Sequence, residues 1–282
     1  MKKVILSIEL IALLIMGLSV ASYGQGIEWI RYYDESVSTG LESNKLVLLY
    51  FGLKPNPLKM DKMEVEIWTD PKVVELAKSF VCSRDLLSGK SGNIPQRLNM
   101  QFRIKKYPTI LIIDPLEKIF WRIEGEETRE KIIEVLRACP NNLAVPYVII
   151  RQLLQDPKNV LLKIAVGDAY HKIGVPHMSN QYYGEAYDSD TVKADKNLAE
   201  HIQTFEAVNY ELMGKLDVAT QMLEKVMDEY PGGNLRPLQL YSLVKIYSKK
   251  QETIKANNLL NILRQQYPEN QYTKLAIDFL KN

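Results

Sequence analysis

Redox motifs, metal clusters and an imbalance of charge are what this sequence is short of. It holds only two cysteines, Cys82 and Cys139, far apart in the chain, so no Cys-x-x-Cys pair exists and no disulfide framework carries the fold. Stability must therefore come from apolar burial. Its three histidines, His171, His177 and His201, have no cysteine or carboxylate at metal-ligand spacing, and no His-Glu-x-x-His or Ser-His-Asp signature occurs. The expectation is no metal, no cofactor and no catalytic set of these kinds. Lys and Arg number 36 against 34 Asp and Glu, a balance that gives no global attraction to nucleic acid or to an anionic membrane.

One apolar run is present, at the N-terminus. Lys2 and Lys3 precede a stretch that is uninterrupted from Leu10 to Ala21, and the small residues of SVASYGQG follow it. That is the three-part layout of a secretory signal peptide, with cleavage after Ala21 or Gly24. Glu9 interrupts the run, and what remains is short of the roughly 20 residues that span a bilayer. No cysteine follows it, so an acyl anchor is not indicated. Residues 1–24 are expected to be removed, placing the protein in the periplasm or cell envelope with no membrane partner after cleavage. Without Lys2, Lys3 and Glu9 the mature chain keeps 34 basic and 33 acidic side chains. Its length suits two domains.

In the first half, KLVLLYFG (45–52) is a nearly continuous apolar run ended by glycine, which predicts a strand buried on both faces. KMEVEIWTDPKVVELAKSF has helical spacing broken at Asp70-Pro71. Next come FVCSRDLL as a strand, IPQRLNMQFRI as a helix, PTILIID as a buried strand, IFWRIEG as an edge strand and TREKIIEVLRAC as an amphipathic helix. This order predicts an α/β sandwich.

Met63, Glu64, Trp68, Asp70 and Pro71, the approach GIEWIRYYDESVSTGLESNKLVLLYF and the segment KKYPTILIIDP resemble the exported branch of the thioredoxin-like family over residues 26–139. The resemblance implies a cis Tyr107-Pro108 bond and a redox pair at the start of the helix after the central strand. The pair is not there. Counted from the strand, its positions fall on Asn56 and Lys59; counted back from Met63, on Pro57 and Met60. Tyr50 stands where the family has an acidic proton acceptor. A reactive thiolate needs both a sulfur and a lowered pKa, so nucleophile and helper are lost together. The loop Tyr107, Pro108 and Thr109 is open to two readings: it turns the chain into TILIID, or it still receives a peptide without oxidising it.

Cys82 and Cys139 read as small buried apolar residues. A disulfide between them is left open, because it depends on a Cα separation that sequence does not set.

CPNNLAVP closes the first domain, and beyond it only helical spacing appears. Aligning Pro231 with Pro268 superposes Ala207, Tyr210, Ala219, Leu223 and Val226 on Val244, Tyr247, Ala256, Leu260 and Leu263. These spacings resemble the tetratricopeptide repeat (TPR), with the period lengthened at GGN, and with Gln203 and Glu206 standing where the pattern has apolar residues. LLKIAVGDAYHKIG looks like the first helix of a degenerate copy, with Gly167, Tyr170 and Gly174 in the matching places, and QYTKLAIDFLKN like a closing helix. The resemblance projects His201, Thr204, Val208 and Glu211 from one copy, and Leu238, Tyr241, Lys245 and Ser248 from the next, onto an inner groove. That mixture of charges suits an amphipathic peptide. A stack that only braces the first domain is the plainer reading.

The sequence thus predicts a signal peptide (1–24), a thioredoxin-like α/β sandwich (25–140) and an all-α TPR-like repeat domain (141–282). The function expected is a non-catalytic protein- or peptide-binding or assembly module. The alternative is a thiol-disulfide oxidoreductase or disulfide-handling chaperone using Cys82 or Cys139.

Overall fold

The computed structural model describes residues 26–52, 62–86 and 94–281; the expected signal peptide and Asn56, Pro57, Lys59 and Met60 lie outside the described residues. Backbone contacts divide the chain into two compact units, residues 1–114 with 121–141 and residues 115–120 with 142–282. The main division falls between Asn141 and Asn142, in the Pro- and Asn-rich link. The stretch 115–120 groups with the second unit, which no composition shift marks.

Five strands form one sheet: β1 (Trp29–Ile30), β2 (Val47–Gly52), β3 (Val81–Leu86), β4 (Thr109–Ile113) and β5 (Ile119–Glu124). Their order is β1-β3-β2-β4-β5. β1 and β2 run parallel to β3, and β4 runs antiparallel to β2. Every residue of β2 and β4 is buried, as expected of strands apolar on both faces. Helix α1 (Tyr33–Ser43) packs on β1, β2 and β3, and α2 (Pro71–Ala77) packs against α4 (Arg129–Ala138); α3 (Ile94–Gln101) precedes β4. The result is a thioredoxin-like α/β sandwich.

The break read at Asp70-Pro71 has a local cause. Residues Met63–Ile67 form a wide π-type turn, after which Asp70 caps α2, its Oδ1 accepting from Lys72 N at 2.9 Å and Val73 N at 3.1 Å. Pro71 takes the first helical position, where a missing N–H costs nothing. Strand β1 was not foreseen: two residues are too few to show a period.

The second unit is helical throughout its longer segment: α5 (Ala144–Gln155), α6 (Val160–Lys172), α7 (Pro176–Tyr187), α8 (Asp190–Ala194), α9 (Lys196–Leu212), α10 (Leu216–Glu229), α11 (Arg236–Lys249), α12 (Thr253–Gln266) and α13 (Gln271–Lys281). Helices α6 and α7, α9 and α10, and α11 and α12 pack as hairpins. All three hairpins turn the same way. Gly174, Gly214 and Gln251 each hold a left-handed φ, of 76°, 74° and 62°. The residue after each donates its N–H to a tyrosine carbonyl, Tyr170, Tyr210 or Tyr247, at 2.9, 2.9 and 2.8 Å. Glycine suits that conformation and glutamine tolerates it at a cost.

The exits repeat too. Tyr230 N donates to Val226 O and Gly233 N to Tyr230 O; 37 residues on, Tyr267 N donates to Leu263 O and Asn270 N to Tyr267 O. Ala207, Ala219, Leu223, Tyr247 and Ala256 share one buried cluster, and Val244, Leu260, Leu263 and Ala276 of α13 share the next. Small residues let the helices approach and large ones fill the layers between them. The short α8, capped by Ser189, is an insertion that the repeat spacing did not reveal.

Candidate functional site

Tyr50 is completely buried. Its ring meets Trp68 edge-on at 5.2 Å and Trp29 at 6.1 Å, while Trp29 and Trp68 lie 5.4 Å apart. Arg84 stands 5.5 Å over the Trp29 ring and holds Glu64 Oε2 at 2.9 Å. Three rings thus pack together at the central strand, with an ion pair beside them. A charged group there would lose its hydration with no ring able to replace it.

The Tyr107-Pro108 bond is cis. Gly125 N donates to the Pro108 carbonyl at 2.7 Å, and the buried Thr109 hydroxyl donates to Lys106 O at 2.6 Å. The loop is held from within its own unit, and Tyr107 is half-buried.

Neither cysteine is poised for chemistry. Both are free thiols, so the disulfide left open by the sequence is not formed. Burial pushes each thiol up to about 12, with Lys45 only partly offsetting this at Cys82. Cys82 donates to Ala77 O and Cys139 to Val135 O.

In the helical unit the projected groove residues separate into two groups. Thr204 (0 % exposed), Glu211 (2 %), Val208 (6 %) and Leu238 (7 %) are buried, which corrects their placement on an open surface. Their side chains tie or pack neighbouring helices. Thr204 Oγ1 accepts from Gln239 Nε2 at 2.9 Å, and Glu211 draws in Lys245 and Lys249 at 2.8 and 3.1 Å. His201, Tyr241, Lys245 and Ser248 remain half-buried. Tyr241 stacks on Tyr272 of α13 at 5.9 Å, and the Lys245 ammonium lies 4.8 Å from its ring centre.

Polar pairs link the first helices of successive hairpins. Glu200, 3 % exposed, accepts from Asn234 N, Leu235 N and Gln239 Nε2, each at 3.1 Å, clasping the GGN connection to the start of α11. Gln203, which departs from the repeat pattern, donates to the hydroxyls of Tyr187 and Tyr230 at 2.9 and 3.2 Å. The departure is thus a satisfied buried amide.

Between α6, α7 and α9 lies a group that the sequence reading missed. Gly167 leaves room for Tyr183, since a Cβ there would come within 2.6 Å of its ring. Tyr183 donates its hydroxyl to Asp168 Oδ1 at 2.5 Å, and His201 Nε2 donates to the same oxygen at 2.7 Å. Burial pushes the Asp168 carboxyl up, but these two donors and the nearby His171 and His201 bring it below its ordinary 3.8. Phe205 lies between His171 at 5.0 Å and His201 at 4.6 Å. His171 Nδ1 donates to Asn209 Oδ1 at 2.7 Å. Extending the match of Gly167, Tyr170 and Gly174 would have brought Asp168 and His171 to the positions that Val208 and Glu211 hold in the next copy. That signal was in the sequence.

Among the described residues no cluster of three or more His, Cys, Asp or Glu could hold a metal ion, and no helix is long and apolar enough to cross a membrane. No family model and no curated protein matches the sequence. The chain is similar to a solved structure described as a DsbH oxidoreductase, at 16% identity over 43% of this chain and 92% of that one, with a TM-score of 0.35. It is also similar to the solution structure of a thioredoxin from Thermus thermophilus, at 22% identity over 40% of this chain and 86% of that one, with a TM-score of 0.34.

Proposed function

We propose that the chain is exported and acts in the cell envelope as a non-catalytic binding or assembly module, with a thioredoxin-like unit carrying a short tetratricopeptide-like stack. The partner is a protein that presents a peptide segment to the first-helix face of the stack. The observation that carries this reading is the half-buried row of His201, Tyr241, Lys245 and Ser248, supported from beneath by buried polar pairs. Such a row is held rigid yet reachable, which limits the entropy lost on binding. Tyr241 is the anchor: its ring offers apolar area and its hydroxyl a polar tip.

Thiol-disulfide exchange through Cys82 or Cys139 finds no support, because both thiols are pushed to about 12 and so are almost never thiolates near neutral pH. Insulin-disulfide reduction by the mature protein tests the non-catalytic part. The expected result is no turnover above the uncatalysed rate. A rate near that of an ordinary thioredoxin would overturn it.

A further inference from the structure

Asp168 has an unusual division of labour between its two oxygens. Both donors, the Tyr183 hydroxyl and His201 Nε2, end on Oδ1. Oδ2 takes neither bond, and the side chain remains 45% exposed. Among the described residues its ion-pair partner is His201, an imidazole rather than a permanent cation. The carboxylate is therefore fixed in direction from the inside, by a tyrosine seated against Gly167, while part of its charge faces outward. Beside it, the half-buried Phe205 ring packs against the imidazoles of His171 and His201.

We infer that Asp168 and Phe205 form a receptor for an arginine side chain of the partner peptide. A charge-assisted hydrogen bond to the outward oxygen suits a guanidinium, and its plane suits an aromatic neighbour better than a compact, strongly hydrated ammonium does. Preorganisation supports this: Tyr183 and His201 already hold the carboxylate, so binding orders little that was free. The inference rests on the reading of the first-helix face as a peptide site, and it places a cation requirement at the α6 end of that face.

The chain has only three histidines, so selective 13C labelling of the imidazoles gives three signals, from His171, His177 and His201. The mature protein is titrated with the acetylated, amidated pentapeptide Gly-Gly-Arg-Gly-Gly and with its lysine and citrulline counterparts. The arginine peptide should move the His201 and His171 signals in a saturable way while His177 stays still. Citrulline, isosteric but neutral, should bind at least about tenfold more weakly, as should the arginine peptide to Asp168→Asn. The citrulline comparison needs no variant and so does not depend on Asp168→Asn folding. Equal shifts with citrulline, undiminished binding by folded Asp168→Asn, or no saturable shift at tens of millimolar would overturn the receptor. Lysine binding as tight as arginine would overturn the choice of guanidinium. If the receptor fails while Tyr241→Ala weakens partner capture, the peptide-face reading stands alone.

Discussion

Tyr50 lies edge-on against Trp68, ring centroids 5.2 Å apart and planes inclined by 69°. The contact joins the central strand to the segment leading into α2. Tyr50→Asp should therefore not restore chemistry; it should damage the fold. The change removes a fully buried ring and leaves a carboxylate among aromatic neighbours. A loss of about 4 kcal/mol or more is expected in urea unfolding. A variant within about 1 kcal/mol of the parent would show that the site still accommodates a charge.

The thiols give a second check. With burial pushing both up to about 12, almost no thiolate is present at pH 7. Native protein should resist a maleimide at neutral pH, and both cysteines should label once urea unfolds the chain. Rapid labelling of either in the folded state would revive the oxidoreductase alternative.

Gln251 and Gly214 occupy equivalent left-handed turn positions. Gln251→Gly should raise stability by up to about 1 kcal/mol, and Gly214→Ala should lower it by about 1 kcal/mol. Opposite signs for the two changes are the expected outcome; a loss at both would mean that the Gln251 side chain contributes more than its backbone costs.

Asp70 carries a pH signature. Burial pushes its carboxyl up, but the amides of Val73 and Lys72 and the Arg129 guanidinium outweigh this, so it lies below its ordinary 3.8. Since the folded pKa is depressed, its stabilisation is complete above the unfolded value and is lost as pH falls through the folded one. The gap in Tm between the parent and Asp70→Asn should hold steady above about pH 5 and close below about pH 4. A gap that widens on acidification would contradict the assignment.

Much of this architecture was legible because its signals are periodic. The buried strands β2 and β4 are continuous apolar runs, the helical spacing breaks at the Asp-Pro step where α2 begins, and the spacing from Pro231 to Pro268 located a repeat that the backbone hydrogen bonds follow. What was not legible depends on the third dimension. The groove projection treated Thr204 and Glu211 as surface, yet adjacent helices supply Gln239, Lys245 and Lys249 to cover them. Asp168 and Tyr183 are 15 residues apart and meet only because Gly167 lets α7 come close.

The central claim, that a partner is held by the helical face and not by the loop at Pro108, is tested most directly by capture from envelope extract. Mature protein, Tyr241→Ala, Tyr107→Ala and Tyr247→Ala are immobilised in equal amounts, each after its Tm is measured. Tyr247 is buried, with its hydroxyl donating to Glu224 at 2.8 Å, so its truncation should cost about 3 kcal/mol of stability and serves as the control for unfolding. Tyr241→Ala should stay folded and lose at least about 1 kcal/mol of affinity for the captured protein, while Tyr107→Ala retains it. A partner bound equally by Tyr241→Ala and lost on Tyr107→Ala would contradict the account and return the site to the cis-proline loop.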